Sequence, residues 1–392
     1  KHVNACLDHF LSNEPMMDIE TEYMFYQQII PNIPLEAINA TASQLITENN
    51  LVITLSAPQK EGETLPTEEE LLAMYNNANA MEVEPYQEEV FDGPIVPELP
   101  KPGTVKKETT NETFGTTEWT LSNGMKVIYK QTDFKEDEIR MSAYSPGGLT
   151  ALPQDDPYTL QVLGDIITLG GVGEFSAIDL PKVLAGKKVS VSPYISTYSE
   201  GMNGSCSPKD LETMLQLVHL YFTAPRADQE AFTSNMERTK AMLKNMELNP
   251  MITLSDSLNK VLYNNHPLTV RMKAEDYDKV DYAKAMEMYK DRFADPNNFT
   301  FTFVGNIDLE TFKPLVEKYL ASLKKNKRKE DWKDIGLAMN NDNYVTHYRK
   351  EMQDPKTSVY MVYNGDMEYN LYNDTYMEVL SDVLDIVYTK SI

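Results

Sequence analysis

Apolar and β-branched residues run together in two short stretches about 250 residues apart. Asn50 to Pro58 reads NLVITLSAP, and Pro296 to Asn306 reads PNNFTFTFVGN. Continuous apolar character over so few residues predicts strands in the middle of a sheet, covered on both sides. Other segments carry apolar residues at helical spacing. Leu35, Ile38, Ala42 and Leu45 form one stripe, and Leu211, Leu215, Val218 and Phe222 form another. Ser207 followed by Pro208 predicts the cap and first position of that second helix. Further helices are expected over Asp228 to Met246, Leu254 to Tyr263, Tyr282 to Phe293 and Asp308 to Leu323.

Between these helices lie strand signals. Thr117 to Thr132, TEWTLSNGMKVIYKQT, predicts a hairpin in which Asn123-Gly124 supplies the positive backbone angles of a tight turn. Asp137 to Ala143 predicts a strand that ends at Pro146-Gly147-Gly148, before a helix around Tyr158 to Leu169. Lys188 to Ser207 holds two more short strands. Near the end, NYVTHYRKE from Asn343 and KTSVYMVYNGD from Lys356 predict another strand pair, followed by a helix from about Tyr372.

Residues 59–112 break this rhythm with six prolines: Pro66, Pro85, Pro94, Pro97, Pro100 and Pro102. One helix is expected there, with Thr67 and Glu70 spaced as a capping box. The remainder predicts an extended connector lying on a protein surface through Tyr86, Val90, Phe91, Ile95, Val96 and Leu99.

The chain also repeats itself. Asn49-Asn50 and the strand after them align with Asn297-Asn298 and theirs. Val162-Leu163 aligns with Val379-Leu380, each followed by an aspartate, Asp165 and Asp382. Allowing for the proline-rich insertion, one unit is about 220 residues, too long for a solenoid and suited to duplicated domains.

Composition narrows the function. A net charge of −24 repels phosphate backbones and argues against a nucleic-acid partner. No apolar run is long enough to span a bilayer as a helix. The two cysteines, Cys6 and Cys206, allow one disulfide, but two buried free thiols are the expectation. The chain opens mid-helix without methionine, which predicts a piece of something longer.

The chemistry-bearing residues are sparse. None of the five histidines (His2, His9, His219, His266, His347) forms a His-x-x-Glu-His or His-Glu-x-x-His pair. His2, Cys6 and His9 share one helical face beside Asp8, a conceivable soft metal site, but an interior helix with a buried Cys6 is the expected reading. His219 sits between Val218 and Leu220 and is expected to be a satisfied core imidazole, and His266-Pro267 to mark a turn. The glycines from Gly170 to Gly173 lack the Lys-Ser/Thr of a phosphate loop and are expected to end a helix. No Ser or Cys has a neighbouring His for a nucleophilic triad.

Three stretches resemble one known family. LSNGMKVIYKQTDFKEDEIRMSAYSPGG from Leu121, VHLYFTAPRADQEAF from Val218, and YKDRFADPNNFTFTFVGNIDLE from Tyr289 are similar to the insulinase/pitrilysin-type zinc metallopeptidases, in particular the large bacterial ones. HPLTVR from His266 fits the same family. The resemblance implies an α+β fold, with duplicated domains of antiparallel-rich mixed sheet packed against helices and joined by a proline-rich linker. On that pattern residues 1–58 end a second domain, 59–112 link the two halves, 113–327 form a complete third domain and 328–392 begin a fourth. It implies a chamber enclosing oligopeptides or unfolded polypeptides, with the other domains of the same polypeptide as partners. A bacterial periplasm or cell envelope is also implied.

The family's zinc motif lies on the first long helix of its first domain. The matching helices here read QVLGD from Gln161 and EVLSD from Glu378, without imidazoles or a general base. No catalytic residue and no metal ligand is therefore assigned in this chain, which is expected to be inactive alone; zinc belongs to the parent protein, and substrate-binding residues are not assigned. The family's trans-acting Arg and Tyr would follow the last helix, beyond Ile392. The apolar side of that helix (Leu380, Val383, Leu384, Val387) is expected to dimerise or dock on neighbouring domains. A catalytically inactive scaffold of the same family and a stand-alone peptide-binding module remain as alternatives.

Overall fold

A computed structural model describes the chain apart from residues 1, 46–49, 58–63, 85–92, 327, 351–355 and 392. It divides into two units, residues 1–89 and 90–392. The first unit holds helices α1 (His2–Ser12), α2 (Ile19–Ile29), α3 (Leu35–Gln44) and α4 (Glu68–Ala80). The capping box of α4 forms as expected: the Thr67 hydroxyl accepts from the Glu70 N–H at 3.2 Å, and the Glu70 carboxylate accepts from the Thr67 N–H at 2.8 Å.

Residues 50–57 differ from expectation. They are exposed and in no strand. A two-sided strand needs neighbours on both edges, and the described residues of the first unit form no sheet. Asn49 of the repeat lies outside the described residues.

The second unit is built on a seven-stranded sheet in the order β1-β2-β3-β7-β4-β6-β5. The chain runs through β1 (Val105–Asn111), β2 (Thr116–Leu121), β3 (Lys126–Gln131), β4 (Ile139–Pro146), α5 (Pro157–Ile166), α6 (Asp179–Val183), β5 (Val189–Ile195) and β6 (Ser199–Cys206). Then follow α7 (Leu211–Thr223), α8 (Gln229–Met246), α9 (Pro250–Leu262), α10 (Tyr282–Arg292), β7 (Thr300–Gly305), α11 (Leu309–Tyr319) and α12 (Leu371–Ser391). The late strand β7 inserts between β3 and β4, parallel to the first and antiparallel to the second, making the sheet mixed but mostly antiparallel. This is the expected α+β architecture of sheet against helices.

Alternation within the strands decides which face is covered. Phe301 and Phe303 of β7 point to the same side as Trp119, Val127, Met141 and Met202, and all are buried. Helices α7, α10 and α11 add Leu215, Val218, Tyr289, Phe312 and Tyr319 to that core. An aromatic chain ties the layers together: Trp119 stacks on Phe312 at 5.6 Å, and Phe312 meets Phe303 edge-on at 5.0 Å. The Trp119 indole N–H is satisfied by Glu108 at 2.8 Å. Ile95 and Val96 of the connector are buried in this core while Leu99 is exposed; Tyr86, Val90 and Phe91 lie outside the described residues.

Four local expectations are corrected. In the β2–β3 turn only Gly124 takes a positive angle (φ 93°). Asn123 is instead buried, donating to the carbonyls of Leu320 at 2.8 Å and Leu323 at 3.2 Å, so it pins the hairpin to the end of α11. The Ser207 hydroxyl does not cap a backbone N–H; it donates to the Asp210 carboxylate at 2.6 Å. Cys206 is buried as expected, but Cys6 is exposed. Finally, described residues within 343–350 and 356–366 form no strands. The folded sheet gives the reason: β3 and β4 are not neighbours but are bridged by β7. No described strand fills that place for the later pair. Helix α12 does form, with Leu380, Val383, Leu384 and Val387 exposed.

Candidate functional site

Helix α5 is the helix that the resemblance matches to the zinc-motif helix of the family's first domain. Strand β4 delivers the chain to it through Gly147 (φ 138°) and Gly148 (φ 56°). A side chain on Gly148 would meet the Ser196 carbonyl oxygen at 2.3 Å, so only glycine fits that turn. Asp156 then caps the helix by accepting from the Thr159 N–H at 3.0 Å, with Pro157 in the first turn. Leu160, Leu163 and Ile166 face the core, leaving Gln161, Gly164 and Asp165 on the outer side.

Those three outer positions do not fit a zinc ion. The Gln161 amide is neutral and donates to the Pro267 carbonyl at 2.6 Å, Gly164 has no side chain, and Asp165 is one exposed carboxylate. A tetrahedral site needs several convergent imidazole, thiolate or carboxylate donors. Among the described residues no three His, Cys, Asp or Glu side chains gather in a metal-holding group. His2, Cys6, Asp8 and His9 on the exposed α1 form no such group; His9 Nδ1 lies 2.7 Å from the Glu14 carbonyl.

His219 and His266 are held by backbone groups. His219 is buried, with Nδ1 2.8 Å from the Tyr319 carbonyl, so the proton resides on that nitrogen. Burial pushes its pKa down, keeping it neutral. His266 lies in the turn after α9; its Nε2 is 3.2 Å from the Ile335 carbonyl, and Nδ1 accepts from the Leu268 N–H. Within the glycine cluster Gly171 (φ 88°) and Gly173 (φ 61°) adopt the left-handed turns expected past a helix end. Burial raises the Cys206 thiol to about 12, which makes it unreactive.

One face of the sheet is left without a helix layer. Ser142, Asn203 and Ser192 lie side by side across β4, β6 and β5, and Thr302 joins them from β7. With Ser190, Ser205, Arg140 and Val304 they line a shallow depression of ≈ 620 Å³. Its lining mixes short hydroxyl and amide side chains, which offer hydrogen bonds, with Val191 and Val304 and the charged Glu138 and Arg140. A second groove of ≈ 530 Å³ lies over α5, between Leu149, Gln161, Leu268 and Leu337.

A buried charge cluster went undetected in the sequence. Glu200 at the start of β6 is fully buried. It accepts from the Ser145 hydroxyl at 2.6 Å and the Gly148 N–H at 2.7 Å. Arg292, 1% exposed at its side chain, stands 3.9 Å behind it and bonds Asp291 and Glu330. Burial raises the Glu200 carboxyl above its ordinary value, against those hydrogen bonds and the Arg292 charge. Burial works against the Asp291 carboxylate too, but hydrogen bonds from Arg328 and Arg292 hold it below the usual range. Nothing in the spacing of these residues announces the cluster, because it joins three elements distant in sequence.

Comparison with known proteins agrees with this fold. Residues 279–385 match the peptidase M16 inactive domain. The chain is 30% identical over 324 residues to a PQQL-like zinc protease of Arabidopsis thaliana, covering 81% of this chain and 31% of that protein. It is 22% identical over 380 residues to the probable zinc protease PqqL of Haemophilus influenzae, covering 95% of this chain and 40% of the relative. It thus spans well under half the length of these curated relatives. Among solved structures, the periplasmic protease PqqL from Escherichia coli matches with a TM-score of 0.57 at 18% identity, over 87% of this chain and 37% of that one. The ferredoxin protease FusC, solved in complex with Arabidopsis ferredoxin, matches with a TM-score of 0.55 at 17% identity, over 86% of this chain and 37% of that one. By sequence and by fold, this chain is a relative of the insulinase/pitrilysin-type (M16) zinc metallopeptidases, with similarity to that family's inactive domain over residues 279–385.

Proposed function

We propose that this chain is a noncatalytic portion of a zinc metallopeptidase. Its open sheet face forms part of the wall around an oligopeptide or unfolded polypeptide, and hydrolysis takes place at a zinc site carried by another domain. The observation that carries this reading is the pairing of an uncovered, short-polar sheet floor with an α5 helix whose outer positions hold Gln161, Gly164 and Asp165. Serine, threonine and asparagine side chains bond peptide groups without selecting a side chain, which suits a surface that must accept varied extended sequences.

A photo-crosslinking residue at Ser142 tests this. With an unfolded polypeptide added, crosslinking is expected from Ser142 and not from Glu237 on α8, and the chain with added zinc should cleave nothing. Equal labelling from both positions would remove the wall reading; cleavage by the chain alone would remove the noncatalytic one.

A further inference from the structure

The segment after α11 crosses the second unit without regular structure, and none of its residues 328–340 is buried. What holds it is charge and hydrogen bonding. Arg328 grips Asp291 with Nη1 to Oδ1 at 2.6 Å and Nη2 to Oδ2 at 3.2 Å. Arg292 in turn reaches Glu330 at 2.8 Å. Arg328 also bonds Glu330 at 3.0 Å, and Arg292 bonds Asp291 at 2.9 Å. Two guanidiniums and two carboxylates thus alternate around a closed ring, each segment supplying one of each sign. The Arg328 N–H adds a bond to Asp295 at 2.5 Å.

Downstream, the segment is pinned at separate points. The Trp332 ring meets Tyr198 edge-on at 5.9 Å, and the Lys333 N–H donates to the Thr150 hydroxyl at 3.1 Å. Ile335 receives His266 Nε2 at 3.2 Å, and the Asn340 N–H donates to the Leu262 carbonyl at 2.6 Å. Between these last pins Leu337 forms one wall of the groove over α5.

We propose that residues 328–340 are an ionically latched strap, which walls one side of the groove over α5 and can release while the sheet stays folded. The physical reason is the division of forces. The core is held by apolar burial, which salt does not weaken, whereas the strap is held by a partly exposed charge ring that salt screens. Bidentate arginine–carboxylate pairing gives the ring its geometry. Release removes Leu337 from the groove.

Hydrogen–deuterium exchange on the whole chain tests the latch, comparing wild type with Arg328→Gln, with Glu330→Gln and with the double variant Arg328→Gln/Asp291→Asn. Each single variant is expected to speed exchange at Lys333 and Asn340 about tenfold, equivalent to about 1.4 kcal/mol. Amides of β4, β6 and β7 should stay unchanged. The double variant should be no faster than Arg328→Gln alone, because both changes break the same pair. Two results overturn the proposal: unchanged exchange at Lys333 and Asn340 in both single variants, or equal acceleration of strap and sheet in both.

Discussion

Along β7, Phe301 and Phe303 face the helices and are fully buried, whereas Thr300, Thr302 and Val304 face the open side and stay partly exposed. On β4 the same division separates Ile139, Met141 and Ala143 from Arg140, Ser142 and Tyr144. The covered face must fill space at crystalline density, so its residues report the fold. The open face carries no such demand. Its serines, threonines and asparagine are free of it, so alternate residues of the same strands answer to different demands.

The comparison breaks most visibly at Phe303. It has no exposed surface and packs on both Phe301 and Phe312. Phe303→Ala is expected to cost about 3–5 kcal/mol through lost burial and a residual cavity. Chemical denaturation followed by tryptophan fluorescence reads this, since both tryptophans, Trp119 and Trp332, lie in residues 90–392. A loss below about 1 kcal/mol would mean that the aromatic layer is not the core. A smaller effect, about 1–3 kcal/mol, is expected for Asn123→Ala, which leaves the Leu320 and Leu323 carbonyls without their buried donor. The same assay checks it, and Asn123→Asp should not rescue, because a carboxylate cannot donate.

Asn123 also shows how far the sequence could be read. Asn-Gly between two strands correctly marked the hairpin, since β2 and β3 do pair across it. Local turn chemistry says nothing of a helix end about 200 residues later, so the tertiary role of Asn123 was invisible. The helices of the second unit were legible for a similar reason: Leu211, Leu215 and Val218 bury one stripe that period alone reveals. The strands expected at 50–58 and 356–366 failed, over their described residues, on the opposite ground. A strand is defined by its neighbours, and apolar content cannot show whether those neighbours are present. At the candidate site, helix α5 and the residues on its outer side, Gln161, Gly164 and Asp165, were readable. The Glu200–Arg292 cluster was not, because burial of charge is decided by packing among distant elements.

Glu200 sharpens the comparison by placing a charge on the covered side. Its carboxyl is raised above the ordinary value of 4.5, chiefly by burial. The folded state therefore holds this proton at pH values where the unfolded chain has released it. As pH rises from 4.5 towards the folded value, Glu200 withdraws stability from the fold. Glu200→Gln cannot ionise: its amide oxygen can still accept from the Gly148 N–H, while its NH2 group can only donate, so the Ser145 hydroxyl must turn to accept. The stability of wild type minus that of Glu200→Gln is expected to fall as pH rises through this window. Urea midpoints measured at intervals of about half a pH unit check the sign. A difference that rises with pH would show that Arg292 governs the carboxylate more than burial does.

The smallest effect is expected on the open face, and it is the most exacting test of the comparison. Ser142 is exposed on β4 and flanked by Asn203 and Thr302, and no side-chain hydrogen bond to it is resolved among the described residues. Ser142→Ala should move stability by no more than about 0.5 kcal/mol, as befits a surface position away from caps and buried networks. Ser145, three residues further along the same strand and therefore turned inward, makes the contrast. Its hydroxyl donates to the buried Glu200 at 2.6 Å, and Ser145→Ala should cost about 1–3 kcal/mol by leaving that carboxylate short of a partner. Both variants remove one hydroxyl from one strand, so propensity and composition cancel between them. If denaturation midpoints shifted equally, burial would not be what separates the faces. If only Ser145→Ala shifts the midpoint, the open face carries no structural demand at Ser142. Loss of polypeptide crosslinking near an otherwise silent Ser142→Ala would then locate the demand in what the surface binds.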